Sequence, residues 1–374
     1  MNIIYIEPYY SGSHKRWIDS YKKHSNHNIK ILHLPGNKWK WRMHGGAITL
    51  ANQFLELDEK VDLILCSDFL NLPVFKSICK TKINNVPIVM YFHENQLSYP
   101  WSPEDKDIVL KRDLHYHYIN YTSSLVSDFN LFNSNYHLKS YIDSIYKYLR
   151  KMPDFNNFES VKEISEKSSV LYIGCELEKF NRYKINKNKS KPLILWNHRW
   201  EFDKNPELFF QTLFKLKDKG YGFKLAILGE KFKQYPDIFN KAKSYLSDNL
   251  VHFGYCDNFE EYAKWLWKAD LLPISSNQDF FGISIVEAVF CNTIPILPER
   301  LSYPELFDID NNPDIFYKED NELYQKIKNY LQNPLKSNFK HIGKFDWNSI
   351  SDDYDLLFEK LKDKYILIFY IYFT

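Results

Sequence analysis

Asp279 and Glu287 stand eight residues apart in the segment Gln278 to Phe290 (QDFFGISIVEAVF). Gly282 lies between them, after an apolar run that reads as a strand (Leu271–Ser275) and before a stretch that reads as a helix starting near Ile283. The unbonded amides and positive dipole end of such a helix suit a phosphate group. On this reading Phe281, Gly282 and Ile283 border the phosphate. Glu287, one turn in, accepts hydrogen bonds from two vicinal ribose hydroxyls, and Asp279 points to the other end of the ligand.

A second group lies in Trp196 to Pro206 (WNHRWEFDKNP), where Arg199 and Lys204 are five residues apart at the end of another apolar run. An Arg supplies a fork for two phosphate oxygens and a Lys adds a point charge. Together they can neutralise a departing diphosphate, the role that a metal would otherwise fill. No metal or cofactor is expected: Asp105-Lys-Asp107 and Asp308-Ile-Asp310 are DxD by letters only, in loops of mixed polar residues. Two further loops follow strand-like runs. His93, Glu94, Asn95 and Gln96 come directly after PIVMYF and are poor core material in succession, and Gly12, between Ser11 and Ser13, lets the chain approach a ligand closely.

The elements that must hold these loops alternate along the chain. Short apolar runs at Asn2–Ile6, Ile29–Leu34, Asp62–Cys66, Pro87–Phe92, Asp128–Phe132 and Ser168–Ile173 are separated by helical patterns. After the Lys- and Asn-rich stretch Asn181–Lys191, which reads as a linker, the rhythm restarts at Pro192–Trp196, Phe223–Leu228, Val251–Phe253, Leu271–Ser275 and Ile294–Leu297. Strands buried on both faces and alternating with helices predict parallel sheets covered by helices. The 374 residues suffice for about two such domains. The fold class is therefore α/β, with two doubly wound, Rossmann-like domains facing across a cleft, and ligands are expected beyond the carboxyl ends of the strands.

Composition narrows the function. A hydrophobic fraction of 44% with 26% charge excludes a disordered chain, and a net charge of +2 gives no global attraction for polyanions. The charge is uneven, however. Residues 1–50 hold eight Lys and Arg against Glu7 and Asp19, a local excess of six. Within them Lys38, Trp39, Lys40, Trp41 and Arg42 mix cations with aromatics, which suits a phosphodiester backbone with unstacked bases or, alternatively, a solvated basic face over packing tryptophans. Five scattered cysteines without CxxC spacing fit free thiols in a reducing cytoplasm. The N-terminal MNIIYIEPYY has neither the basic flank nor the apolar length of an export signal. The run Tyr365–Phe373 (YILIFYIYF) is too short to cross a bilayer and reads as an edge strand or sticky tail, with a peripheral membrane anchor as the alternative.

The segment around Gly282 resembles the acid-x7-acid signature of the retaining group 1 glycosyltransferases of the GT-B fold, with Asp279 where that family usually has Glu. The Arg199–Lys204 pair and the Gly12 loop have counterparts there. A narrower resemblance runs from about residue 2 to 345. EPYYSGSHKRW, LPGNKWKWRMHGGA, FHENQLSYP and NSNYHLKS, followed by ILWNHRWEFDKNP and FFGISIVEAV, are similar to the tRNA-queuosine alpha-mannosyltransferase family. The resemblance implies transfer of mannose from GDP-mannose, with retention, to the cyclopentenediol of queuosine in a tRNA anticodon loop.

It implies that Gly12, Arg199, Lys204, Phe281, Gly282, Ile283 and Glu287 hold the donor. His93 lies on the sugar side, with Arg199, Lys204 and Asp279 in the catalytic set. Lys38, Trp39, Lys40, Trp41, Arg42, Glu94, Asn95 and Gln96 would face the acceptor RNA. Residues 1–183 would form the acceptor-side domain and 190–345 the donor domain. Residues 346–364 would cross back as a helix, and 365–374 would form an apolar tail. The alternatives are a lipid or polysaccharide acceptor on the same fold, or a non-catalytic RNA-binding relative.

Overall fold

The computed structural model describes residues 1–102, 105–110, 114–187, 191–230, 235–335 and 339–373. The chain divides into two compact units: residues 1–174 together with the stretch from Trp347 onward, and residues 175–346.

In the first unit six strands form one sheet: β1 (Asn2–Tyr10), β2 (Asn28–Pro35), β3 (Leu63–Ser67), β4 (Ile88–Phe92), β5 (Phe129–Phe132) and β6 (Ser168–Val170). Every pairing is parallel and the order is β2-β1-β3-β4-β5-β6. β3, β4 and β5 are buried along their whole length, as expected of strands covered by helices on both faces. The chain builds outward from β1 to β2, then returns to β3 on the opposite side. The strand order therefore reverses at β1 and β3, the kind of point beyond whose carboxyl ends open parallel sheets bind ligands.

The second unit has β7 (Leu193–Trp196), β8 (Lys224–Ile227), β9 (Leu250–Phe253), β10 (Leu271–Pro273), β11 (Ile294–Pro298) and β12 (Phe316–Tyr317), in the order β12-β11-β10-β7-β8-β9 and again all parallel. Its reversal lies between β7 and β10. Aromatic side chains fill the adjoining core: Trp200 stacks on Phe239 with centroids 4.3 Å apart, and Trp196 packs edge-on against Phe209 at 4.9 Å.

Three features depart from the sequence reading. The break between the units falls at Gly174–Cys175, ahead of the Lys- and Asn-rich stretch, of which residues 188–190 lie outside the described residues. The reason is Phe180, which is buried in the second unit against Phe259 and whose carbonyl accepts the Trp267 indole N–H at 2.8 Å. The two-residue strand β12 is too short to show a period. Finally, the run from Tyr365 forms neither a strand nor a separate tail. It continues a single helix, Trp347–Phe373. Trp347, Ile350, Tyr354 and Phe358 recur at helical spacing and are all buried, and no Gly or Pro follows to end the helix. This helix is fastened to the first unit by Asp355, which accepts from Tyr21 Oη (2.7 Å), Ser25 Oγ (2.6 Å) and the Asn26 amide (2.7 Å). Among the described residues no helix is long and apolar enough to cross a membrane.

Candidate active site

At the reversal point of the second unit, the loop after β7 and the loop after β10 are stitched together. The Asn277 amide donates to Asp203 O at 2.8 Å, and Ser275 Oγ donates to the carbonyls of Lys204 and Asn205, both at 2.9 Å. A short 3-10 turn (Phe202–Lys204) ends at Asn205, whose φ of 49° and side-chain cap on the Leu208 amide start the helix Pro206–Asp218. That turn aims Lys204 inward. Its ammonium donates to Gln278 O at 2.7 Å and lies 3.0 Å from Asp279 Oδ1 and 3.1 Å from Asp203 Oδ2. Burial alone would depress the Lys204 pKa, but Asp279 and Asp203 outweigh it and hold it above the ordinary lysine value. Burial likewise raises the Asp279 carboxyl, while Lys204 and the hydroxyl of Tyr303, donating at 2.7 Å, bring it below the usual range. Asp279 is thus the counter-ion of Lys204, with both oxygens engaged inside the unit.

Arg199 differs: its side chain is 47% exposed, and its guanidinium meets Glu201 at 3.0 Å. Beside it His198 is buried, and burial carries its pKa down to about 4 against the pull of Asp279, so the ring is neutral near pH 7. Its Nδ1 lies 3.4 Å from Ser284 Oγ, and Asn197 Nδ2 donates to Ser284 O at 2.8 Å. The β7 loop is therefore tied to the first turn of the helix Ile283–Phe290. Gly282 caps that helix at φ 85°, a conformation open to Gly at little cost, and a Cβ there would meet Ile285 Cδ1 at 3.1 Å. The amides of Ile285 and Val286 both turn back to Gly282 O, which leaves those of Ile283 and Ser284 facing outward from the helix start. Glu287 follows one turn on and accepts from Tyr262 Oη at 2.6 Å. Phe281 is buried edge-on against Phe345 at 5.2 Å, so it packs the loop from inside.

The first unit gathers a different chemistry at the ends of β1, β3 and β4. Glu7 is fully buried and accepts from Tyr5 Oη (2.8 Å), the Tyr9 amide (2.8 Å) and Ser67 Oγ (2.9 Å), and it pairs with His14 Nδ1 at 3.0 Å. Burial opposes the charge on both partners. Even so, the pair lowers the Glu7 carboxyl and lifts His14 to about 9. The next ring is His93, whose centroid is 4.2 Å from that of His14. Burial, then the charge on His14, pushes His93 well below the ordinary histidine value. Its backbone amide donates to Asp68 Oδ1 at 2.9 Å, and burial, reinforced by Glu94, pushes the Asp68 carboxyl up to about 8.

Other expected residues are occupied locally. Asn95 is fully buried and closes its own turn through the Ser98 amide at 2.8 Å. Gln96 takes its place in the loop by donating its amide to Asn120 Oδ1 at 2.7 Å, and its side chain donates to Glu94 at 3.0 Å. Trp39 packs on Tyr116 (5.1 Å) and Trp101 (6.2 Å), and Lys40 lies 2.6 Å from both Asp105 and Asp107. The DxD letters at 105–107 are therefore the anionic clamp of a lysine. Arg42 bonds Pro35 O and Asn37 Oδ1, while Lys38 is exposed at φ 52° and Trp41 is 63% exposed. Gly12 has φ 52° and open space where a Cβ would stand. Among the described residues one set of three metal-ligand types, His252 in β9 with Cys256 and Glu261 beyond it, has its ligand atoms within 4.8 Å of one another.

Comparison with known proteins gives the family and the fold. Residues 2–175 match the tRNA-queuosine alpha-mannosyltransferase N-terminal family, and residues 178–344 match the glycosyl transferases group 1 family. A tRNA-queuosine alpha-mannosyltransferase from Drosophila melanogaster is 33% identical over 89% of this chain and 88% of its own. The chain belongs to the tRNA-queuosine alpha-mannosyltransferase family. It is accordingly a glycosyltransferase of GT-B fold. In fold it is similar to a sucrose-phosphate synthase from Thermosynechococcus elongatus (TM-score 0.71, 13% identity, covering 96% of this chain and 99% of that one). A glycosyltransferase from Rickettsia africae is also similar (TM-score 0.65, 16% identity, 96% and 98%).

For this family member the sequence reading singled out Arg199, Lys204, Gly282 and Glu287, which the second unit brings to one edge of its sheet. It did not single out Asn197, His198 or Asp203 there, or Glu7, His14 and Asp68 in the first unit. A signal existed for Asn197, His198 and Asp68, polar residues directly after a buried strand next to the point where the strand order reverses; Asp203, Glu7 and His14 carry no such mark in the sequence.

Proposed function

We propose that this chain is a cytoplasmic enzyme that transfers mannose from GDP-mannose, with retention, to the cyclopentenediol of queuosine in a tRNA anticodon loop. The observation that carries the reading is the half-exposed Arg199 beside the buried Lys204–Asp279 pair, at the strand-order reversal of a unit whose next helix starts at Gly282. The amides of Ile283 and Ser284 take the diphosphate, and the dipole of their helix favours its charge. Arg199 closes on the same oxygens as the sugar bond breaks. This is charge stabilisation that grows in the transition state and needs no metal ion. Glu287, held by Tyr262, receives the ribose hydroxyls. Lys204 is committed to Asp279, Asp203 and Gln278 O, so its main work is to fix the loop that presents Arg199, with its own charge as a second contribution.

Acceptor binding rests on the first unit, where Lys38, Trp41 and Arg42 give a cationic and aromatic face suited to RNA. The test is mass spectrometry of nucleosides from queuosine-containing tRNA incubated with the protein and GDP-mannose. A hexosylated queuosine is expected; unmodified queuosine, alongside transfer to a lipid or polysaccharide, would replace this acceptor with another.

A further inference from the structure

We infer that His252, Cys256 and Glu261 form a structural zinc site in the second unit, which ties β9 to the helix that follows it. The site uses none of the residues assigned to the donor or the acceptor, and the inference is independent of which sugar is transferred and to what.

Placement comes first. His252 lies in β9 (Leu250–Phe253), Cys256 in the connecting loop, and Glu261 in the first turn of the helix Phe259–Lys268. One ligand atom from each lies within 4.8 Å of the other two. Orientation comes second. His252 Nε2 is 3.0 Å from the carbonyl of Gly254. A carbonyl only accepts, so this nitrogen carries the proton and, in the neutral ring, Nδ1 keeps its lone pair. Nδ1 lies 3.7 Å from Glu261 Oε1, beyond hydrogen-bond reach. Two electron-rich atoms so placed repel each other unless a cation stands between them.

Glu261 is fixed as well. Its amide donates to Asn258 Oδ1 at 2.9 Å, and its Oε2 accepts the Asp257 amide at 3.2 Å, which leaves Oε1 for the ion. A metal-bound imidazole ordinarily gives its other N–H to a carbonyl, carboxylate or water, and a ligating carboxylate is itself hydrogen-bonded. Both supports are in place here. Cys256 supplies the third ligand. It is buried, and its thiol makes no hydrogen bond among the described residues, whereas the thiols of Cys66 and Cys79 donate to carbonyls at 3.6 and 3.7 Å.

The donor set selects the ion. A thiolate, an imidazole and a carboxylate suit Zn²⁺, whereas Mg²⁺ and Ca²⁺ take oxygen ligands. The two anionic ligands balance its charge, and water takes the fourth tetrahedral position. Bonds of about 2.0–2.1 Å to nitrogen and oxygen set neighbouring ligand atoms about 3.4 Å apart. The Nδ1–Oε1 separation of 3.7 Å is close to that. On binding, the thiol gives its proton to water and the sulfur donates a lone pair to the ion. The ion then fixes the start of the helix whose next residue, Tyr262, donates to Glu287 at 2.6 Å.

The test uses the full chain, stripped of metal with a chelator and titrated with Zn²⁺ alone, the bound metal being counted by elemental analysis after gel filtration. One Zn²⁺ per chain and a raised melting temperature are expected. Co²⁺ in its place should give a thiolate-to-cobalt charge-transfer band, which C256S should abolish. E261Q, which keeps an acceptor for the Asp257 amide, should weaken Zn²⁺ binding about tenfold or more. If C256S fails to fold, E261Q decides by itself. The absence of stoichiometric Zn²⁺ in wild type overturns the site, as does equal binding by wild type and E261Q or a cobalt band that survives in C256S. No arm involves GDP-mannose or tRNA, so failure here leaves the transfer reading standing, and failure of transfer leaves the zinc site standing.

Discussion

The Lys204 ammonium lies 3.0 Å from the Asp279 carboxylate, and the two residues are 75 positions apart in the chain. Asp203 adds a second carboxylate at 3.1 Å, so one buried cation serves two anions. Taking that cation away leaves both anions uncompensated. The variant Lys204→Met is therefore expected to lose about 3–5 kcal/mol of stability as well as turnover. Thermal unfolding should recover part of that loss in the double variant Lys204→Met with Asp279→Asn. Equal melting of Lys204→Met and wild type would remove the pair from the site's framework.

Arg199 is expected to behave in the opposite way. Half its side chain is in solvent, so Arg199→Ala should change stability by less than about 0.5 kcal/mol. Turnover should fall by about 10² or more, the scale of losing a transition-state charge partner. Arg199→Lys should recover only part of it, because an ammonium lacks the two-pronged geometry. Steady-state kinetics with each variant check both statements, and near-normal kcat in Arg199→Ala refutes the role.

Gly282 starts its helix at φ 85°. In Gly282→Ala the new Cβ meets Ile285 Cδ1 at 3.1 Å, and the backbone is strained by about 1 kcal/mol or more. The helix start proposed to hold the diphosphate shifts with it. Calorimetry should report weaker GDP binding, with the first unit's properties unaffected.

The Glu7–His14 pair makes stability depend on pH. His14 has a folded-state pKa of about 9 against an ordinary value of 6.5. Its contribution is complete below pH 6.5 and is lost as pH rises through about 9. The difference corresponds to about 3 kcal/mol. Melting temperatures measured from pH 6 to 10 should fall over that window in wild type and stay flatter in His14→Gln, which begins from a lower value. A wild-type profile as flat as the variant's contradicts the pairing.

Within the basic stretch the lysines are not equivalent. Lys38→Ala with Arg42→Ala should weaken tRNA binding and reduce its log-log salt slope by about 0.7 for each phosphate no longer neutralised. Lys40 is clamped by Asp105 and Asp107, so Lys40→Ala should leave that slope unchanged. Binding isotherms at several salt concentrations distinguish the two.

The order of residues along the chain is enough to dictate the parallel α/β framework, because strands buried on both faces and separated by helices leave an apolar rhythm that needs no knowledge of neighbours in space. It also dictates the loops that carry Arg199, Lys204, Gly282 and Glu287, since a strand end followed by a helix start is written in consecutive residues. The partnerships are set only when the chain folds. Glu7 meets Ser67 across 60 residues, Asp68 meets His93 across 25, and Lys204 meets Asp279 across 75, each through parallel strands joined by crossovers that local spacing does not encode. The same holds for Lys40, whose apparent freedom to meet RNA ended once Asp105 and Asp107 folded against it. It holds also for Tyr365–Phe373, where an apolar run equally fit for a strand was taken into a helix already anchored by Trp347, Tyr354 and Asp355. Periodicity is a property of neighbours along the chain. The pairing of buried charges is settled by which strand ends the completed sheet sets side by side.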